Sequence, residues 1–434
     1  QQQKFQKRDQ KLRIIPLGGQ EEVGRNMTVF EYGNDIVILD MGIQFPEEDM
    51  PGIDFIIPNT SYLRGKEKNI RGVIFSHGHL DHIGAAPILL EKLGNPLIIG
   101  RPLTLALIKN RQEDYKKGTA KRLKTLTIKS TSDKFKLSNF LIRFFAVDHS
   151  IMDAIGVIIQ TPQGTVIHPG DWTYEKDPVG RRSIQYYHLA KLPKPTILML
   201  ESLGATLKEK RVPEKVMYNN LKRLIQQAPG RIIIATFASQ IERLKQILEY
   251  AEKIGKKVAL DGFSMKVNVE TAKRFGYIKP QKKTLIGIDQ IHKYPDKKII
   301  VLCTGAQGEG KAVLSRIVTG NHRFIKIKRQ DTVVFSSSVI PGNERTILRL
   351  KDNLYRLCDN IVHSDIMDIH SSGHSTASDI VEVLRQIRPT YFLPVYANYS
   401  FLKEAEKLAV RHGFPKDCLL YTSDAADELD GVDL

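Results

Sequence analysis

The segment Ser76-His77-Gly78-His79-Leu80-Asp81-His82 constrains this chain more than any other. It follows directly on the apolar run Gly72-Val73-Ile74-Phe75, which reads as a short buried strand. Three of the chain's 12 histidines therefore stand, with a carboxylate, on the loop leaving a strand end, where sites are usually built. His77 and His79 are two apart and can point the same way, while Asp81 and His82 can turn toward a neighbouring position. Neutral imidazole nitrogens and a carboxylate oxygen are donors that Zn²⁺ or Mn²⁺ accepts. The plain alternative is a polar surface turn that happens to hold histidines, and the density of the cluster argues against it. The segment predicts a metal site, and one of the hydrolytic kind.

A chain of 434 residues is long for one domain and comfortable for two, each with its own core. No apolar run approaches the ~20 residues of a membrane span, so no membrane partner is expected. The polar N-terminus lacks the apolar centre of a signal peptide. Cys303, Cys358 and Cys418 form neither a disulfide framework nor a paired zinc motif, which fits a reducing cytoplasm. The net charge of +17 points to a polyanion partner, of which nucleic acid is the commonest. Its basic stretches, at 111–129, 208–215 and 282–283, are dispersed, as suits a groove that tracks a phosphate backbone. Charge alone does not separate RNA from DNA. The last residues differ: Asp424, Asp427, Glu428, Asp430 and Asp433 crowd a stretch without lysine or arginine. Residues 419–434 are expected to be a non-native tail.

The first third reads as strand-rich, with strands over 12–17, 27–32, 36–40 and 74–76 and a helix over 86–93. Further strands are expected at 140–147, 156–161, 164–168 and 196–201. From about residue 214 the rhythm turns to alternating helix and strand. Helices fall at 216–227, 240–254, 312–318 and 343–356, and strands at 231–236, 257–260, 298–303 and 332–337. Such alternation implies a mostly parallel, helix-covered sheet, so the fold class is α/β (α+β). A helix at 377–387, a strand at 391–395 and a helix at 401–412 follow.

Three more segments add candidate ligands at strand ends. They are Asp148-His149-Ser150, His168-Pro169-Gly170-Asp171 and Leu39-Asp40-Met41-Gly42. His-x-His-x-Asp-His, a distant His and then Gly-Asp is the order of the metallo-β-lactamase superfamily. Leu17-Gly18-Gly19, Gly24-Arg25-Asn26-Met27-Thr28, Phe45-Pro46-Glu47-Glu48 and Ala235-Thr236-Phe237-Ala238-Ser239 extend the likeness. So do Thr304-Gly305-Ala306-Gln307-Gly308-Glu309, Ile340-Pro341-Gly342-Asn343-Glu344 and His370-Ser371-Ser372-Gly373-His374. Over 11–417 the chain resembles the ribonuclease J family.

That resemblance implies an αββα metallo-β-lactamase domain, at 1–212 and again at 367–418, interrupted by a β-CASP domain at 213–366. The family's small C-terminal domain is missing from the sequence. By the family pattern His77, His79 and His149 hold one divalent metal ion, Asp81 and His82 hold a second, and Asp171 bridges them. Zn²⁺ is the first expectation, with Mn²⁺ or Mg²⁺ as alternatives. Asp81 also counts among the catalytic residues. Asp40 is expected outside the ligand set, orienting a histidine through its ring N–H. Glu201 and His374 match the first two β-CASP motifs and are expected to act together as general acid. The third motif supplies a histidine to the second metal in the family, but Tyr396 stands there. A phenol is a poor ligand at neutral pH, so that site is expected to be weakened, with water, Asn398 or Tyr396 filling the gap. Ser371, Gly373, His374 and Ser375, with the loops at 304–308 and 336–338, are expected to grip phosphates. The resemblance implies single-stranded RNA as substrate, cut internally and removed 5′-to-3′ from a 5′-monophosphate end. The roles implied are rRNA processing and mRNA decay, with a homodimer or homotetramer at full length. The rival reading is a catalytically weak RNA-binding subunit that partners an active homologue.

Overall fold

Alternation along the strands decides the layers. In a computed structural model the described residues are 11–46, 50–176, 178–179, 182–208, 212–281, 283–308, 310–337, 339, 343–364, 366–368, 373–420 and 432–433. In the strand Asp35–Leu39, Val37 and Leu39 face one way while Ile36 and Ile38 face the other. Both sets are buried, so this sheet is covered on both faces. Its seven strands run in the order Val432–Asp433, Leu12–Gly18, Met27–Tyr32, Asp35–Leu39, Ile70–Ile74, Ile98–Gly100 and Thr125–Thr127. A second sheet has six, in the order Tyr391–Val395, Thr196–Glu201, Thr165–His168, Ile155–Gln160, Phe140–Ala146 and Lys134–Leu137.

The inner faces of the two sheets share one apolar cluster, in which Leu12, Val37 and Ile74 meet Phe140, Val157 and Met199. Helices Ala86–Lys92 and Pro102–Tyr115 cover the outer face of the first sheet. Helices Ala377–Ile387 and Tyr399–Arg411 cover that of the second. The order of layers is α, β, β, α.

The third sheet is parallel throughout, in the order Leu285–Ile286, Lys257–Asp261, Ile299–Cys303, Ile232–Ala235, Thr332–Phe335 and Asn360–Val362. Parallel strands need crossovers, and helices supply them on both faces. Glu214–Gln227, Ile241–Lys253 and Phe263–Arg274 lie on one face, Val313–Val318 and Glu344–Tyr355 on the other. The chain then returns to the second sheet through Tyr391–Val395, which pairs in parallel with Thr196–Glu201. No described helix is long and apolar enough to cross a membrane.

Two expectations about elements need correction. The strand expected over 74–76 ends at Ile74, because the Ser76 N–H is taken by Asp40 Oδ1 at 2.8 Å and leaves the ladder. Helices Pro102–Tyr115 and Phe263–Arg274 were not expected. The first carries an unbroken buried run from Leu103 to Ile108 rather than a stripe, so its sequence shows no helical period. Ser371 and most of the segment 419–434 lie outside the described residues, and so do the expectations placed on them.

Candidate metal centre

Strand ends of the two packed sheets converge on one cluster. His77, His79 and His82 leave Ile70–Ile74 of the first sheet. His149 follows Phe140–Ala146, and Asp171 follows Thr165–His168, both of the second. His77 Nε2 and His79 Nδ1 lie 3.1 Å apart, and His149 Nε2 is 3.0 Å from the same His79 nitrogen. Tetrahedral ligation at about 2.0–2.1 Å would separate two nitrogens by roughly 3.3 Å, so the spacing suits donors sharing one ion. Asp171 Oδ2 stands 3.9 Å from both His77 Nε2 and His149 Nε2. Its other oxygen, Oδ1, is 3.2 Å from His82 Nε2, which in turn is 3.4 Å from Asp81 Oδ2. Two donor groups result, His77/His79/His149/Asp171 and Asp81/His82/Asp171, with ligand atoms within 4.8 Å inside each.

Protonation in the first group suits a metal, whereas in the second burial opposes a charged His82 but Asp171, Asp81 and Asp40 raise its ring well above the ordinary value. Burial, reinforced by the neighbouring imidazoles, drives the His77 ring well below its ordinary value and holds His149 down at about 3. Burial likewise brings His79 down to about 4. These rings are neutral at pH 7, with a lone pair to give. Burial works against an ionised Asp171, but His82 beside it holds the carboxyl well below the usual range. The ring nitrogens turned away from the centre are also held. His82 Nδ1 donates to Asp40 Oδ2 at 2.8 Å, and His149 Nδ1 to the Gly373 carbonyl at 2.7 Å. His77 Nδ1 lies 3.0 Å from Ser76 Oγ, which donates to Asp40 Oδ2. Partners of this kind orient metal-binding histidines.

Asp40 is fully buried and adopts φ +63°, a region that aspartate tolerates better than most residues. Gly42 is needed for closeness: a Cβ there would lie 1.6 Å from the Asp81 carbonyl oxygen. Gly373 is similar, since its Cβ would meet Ser150 Oγ at 2.9 Å.

Glu201 ends its strand fully buried. Its Oε1 accepts the Leu203 N–H at 2.7 Å, and its Oε2 has no partner among the described residues. His374 Nδ1 stands 3.6 Å from Glu201 Oε1 and 4.0 Å from Asp171 Oδ2. Burial alone would lower the His374 imidazole, yet Glu201, with Asp171 and Asp81 behind it, pushes it up to about 9. Ser375 is buried, with its hydroxyl unpartnered among the described residues.

Tyr396 lies beneath the Asp81/His82 side. Its ring centroid is 5.6 Å from that of His82 and 5.0 Å from that of His168. Burial raises the phenol well above its ordinary value, so it stays protonated. Asn398 is exposed at the start of helix Tyr399–Arg411.

Sequence reasoning gave no role to several neighbours. Asn26 Nδ2 is 3.0 Å from His82 Nε2, and the fully buried His168 accepts the Gly170 N–H at Nδ1. Both sit inside motifs quoted above, which was the available signal. Asp153 had no such signal. Its side chain is 2% exposed, and it accepts from Arg101, the Leu103 N–H and the Tyr277 hydroxyl. It thereby ties the loop bearing His149 to the unit built on the third sheet.

An αββα sandwich with a histidine–aspartate centre at its strand ends defines a metallo-β-lactamase-type hydrolase. The model of the metallo-beta-lactamase superfamily matches residues 21–198, and that of the ribonuclease J beta-CASP domain matches 229–354. Ribonuclease J 1 of Streptococcus pyogenes is 36% identical over 95% of this chain and 75% of its own length. Ribonuclease J of Mycoplasma pneumoniae is 33% identical over 93% and 71%, and that of Helicobacter pylori 35% over 93% and 59%. The chain belongs to the ribonuclease J family of metal-dependent RNA hydrolases. A solved structure from Enterococcus faecalis V583, described as a protein of unknown function, shares the fold. Its TM-score is 0.64 at 16% identity, over 91% of this chain and 95% of that one.

Proposed function

We propose that this chain hydrolyses single-stranded RNA with two divalent ions, Zn²⁺ first among them. It removes nucleotides 5′-to-3′ from a 5′-monophosphate end and also cuts internally, in rRNA maturation and mRNA decay in the cytoplasm. The observation that carries this reading is Asp171. One carboxylate is shared by two donor groups, with the His374–Glu201 pair beside it.

Divalent ions, when bound, supply Lewis acidity toward the phosphodiester and lower the pKa of the attacking water. The chain's own residues do the rest. His77, His79, His149 and Asp171 would hold the first ion, and Asp81, His82 and Asp171 the second. Asp40 fixes His82 so that Nε2 faces inward. His374 keeps its proton at neutral pH and gives it to the leaving oxygen, while Glu201 holds the ring and stabilises its charge. Ser371, Gly373, His374 and Ser375 form the segment offered to the substrate phosphates. The second group has fewer donors than the first, and the protonated Tyr396 adds none, so it binds its ion more weakly.

We assign 1–212 and 367–418 to the metallo-β-lactamase domain and 213–366 to the β-CASP domain. The protein assembles as a homodimer or homotetramer. The rival reading of an inactive RNA-binding subunit is not favoured, because six residues in two donor groups that share Asp171 exceed what a scaffold needs.

Matched single-stranded RNAs bearing a 5′-monophosphate, 5′-triphosphate or 5′-hydroxyl test the proposal. Mononucleotides should appear fastest from the monophosphate. Equal release from all three would sink the end-measuring role, and internal fragments alone would remove the exonuclease.

A further inference from the structure

We propose that Phe263 is a stacking platform for an unpaired nucleobase of RNA, at a subsite apart from the metal centre. Phe263 is 73% exposed, more than any other large apolar side chain among the described residues. Its local cause is plain. Gly262, at φ +113° and so close to Thr304 that a Cβ would lie 2.7 Å from its hydroxyl, turns the chain out of strand Lys257–Asp261. Phe263 is the first residue of the helix that follows, so its ring is launched off the end of the sheet.

That end is built to receive a ligand. Ala235 is in register with both Cys303 and Phe335, and Asp261 with Cys303, so four parallel strands finish flush. The loops at 236–240, 262–263, 304–308 and 336–337 therefore share one rim. The chain also reverses its strand order here: Ile299–Cys303 is inserted between Lys257–Asp261 and Ile232–Ala235, and Thr332–Phe335 is added on the far side. Ligands of open α/β sheets lie outside such carboxyl ends, at the point of reversal.

The chemistry of the rim fits a single strand. The Lys266 ammonium is one helical turn from Phe263, half exposed, and 3.0 Å from Asp261 Oδ1. Thr304 and Ser337 add hydroxyls, and Gln307 donates its amide to Ser337 Oγ at 3.4 Å. A cation, hydrogen-bonding groups and an open aromatic face together are how proteins hold unpaired bases beside their phosphates. The chain's charge of +17 favours an RNA strand over an apolar peptide as occupant. Thr271, further along the same helix, accepts from Asn110 of helix Pro102–Tyr115, whose Leu107 backs the turn between His77 and His79. Phe263 is about 12 Å up that helix from Thr271.

This inference rests on the RNA-hydrolase reading and is tested apart from it. Steady-state kinetics of the metal-loaded parent, Phe263→Ala and Phe263→Trp would be measured on single-stranded RNAs of increasing length. Phe263→Ala should raise KM about tenfold for RNAs long enough to reach the rim, with kcat and Tm unchanged. A single abasic nucleotide at the reached position should cost the parent the same factor and cost Phe263→Ala nothing. Phe263→Trp should keep the parent KM, and RNA should quench its indole emission, seen against the buried Trp172. If KM in Phe263→Ala is unchanged at every length while the parent degrades RNA, the platform is overturned and the hydrolase stands. A change of oligomeric state in place of a change in KM assigns the ring to a contact between copies and overturns it too. A parent that neither binds nor degrades RNA overturns both readings.

Discussion

In the proposed mechanism, proton supply and metal affinity rest on different single residues of this centre. His374 holds its proton because Glu201 lies 3.6 Å away in a buried setting. His374→Ala should lower kcat by about 10²–10⁴ while leaving bound metal unchanged, as measured by single-turnover decay and elemental analysis. Tyr396→His should raise the metal bound per chain and the rate together. A neutral imidazole can give a lone pair where the protonated phenol cannot. An unchanged metal content in Tyr396→His would show that the ring's burial keeps that position out of reach. The candidate ligands at 77–82 were legible because three histidines and a carboxylate in six residues match a chemical requirement, and His149 and Asp171 entered through the family likeness. Glu201 and His374 were legible through the family likeness. Asn26 and His168 sat within recognised motifs without a role, since burial beside a ligand is decided by strands distant in sequence.

Elements carry the coupling between the parts. Asp153 joins Arg101 and Leu103, at the start of helix Pro102–Tyr115, to Tyr277 just beyond helix Phe263–Arg274. It lies on the same loop as His149. Tyr277→Phe should cost about 1.5 kcal/mol of stability, the worth of a hydrogen bond to a charge. It should also weaken metal binding by roughly tenfold if the tie positions the ligand loop. Chemical denaturation and metal titration check the two effects separately, and a stability loss without a change in metal affinity would make the tie merely structural. The longer strands and most helices followed from apolar period, mostly with ends shifted by a residue or two, whereas the short strands Ile98–Gly100, Thr125–Thr127, Lys134–Leu137 and Asn360–Val362 were not expected. Pro102–Tyr115 escaped because it is buried on several sides, which erases the stripe that betrays a surface helix.

At the scale of the whole molecule, two packed sheets provide the strand ends that gather the ligands. The third sheet adds a flush carboxyl rim, and the chain as a whole carries a net charge of +17. Alternating helix and strand after residue 214 announced the parallel sheet. The strand order did not show in the sequence, because it depends on which crossovers pass one another. Two-metal hydrolysis of RNA at this centre is the central claim, and bound metal measured beside RNA decay tests it most directly. For the parent and Asp81→Ala, divalent metal per chain and loss of 5′-monophosphorylated RNA would be followed in the same samples. The parent should hold a tight and a weaker equivalent and lose activity when the weaker one is removed by chelator. Asp81→Ala should keep the tight equivalent, lose the weaker, and degrade RNA at least 100-fold more slowly, an order-of-magnitude expectation for losing one of two clamping ions. An Asp81→Ala protein that degrades RNA at the parent's rate, or a fully loaded parent that leaves RNA intact, would contradict it.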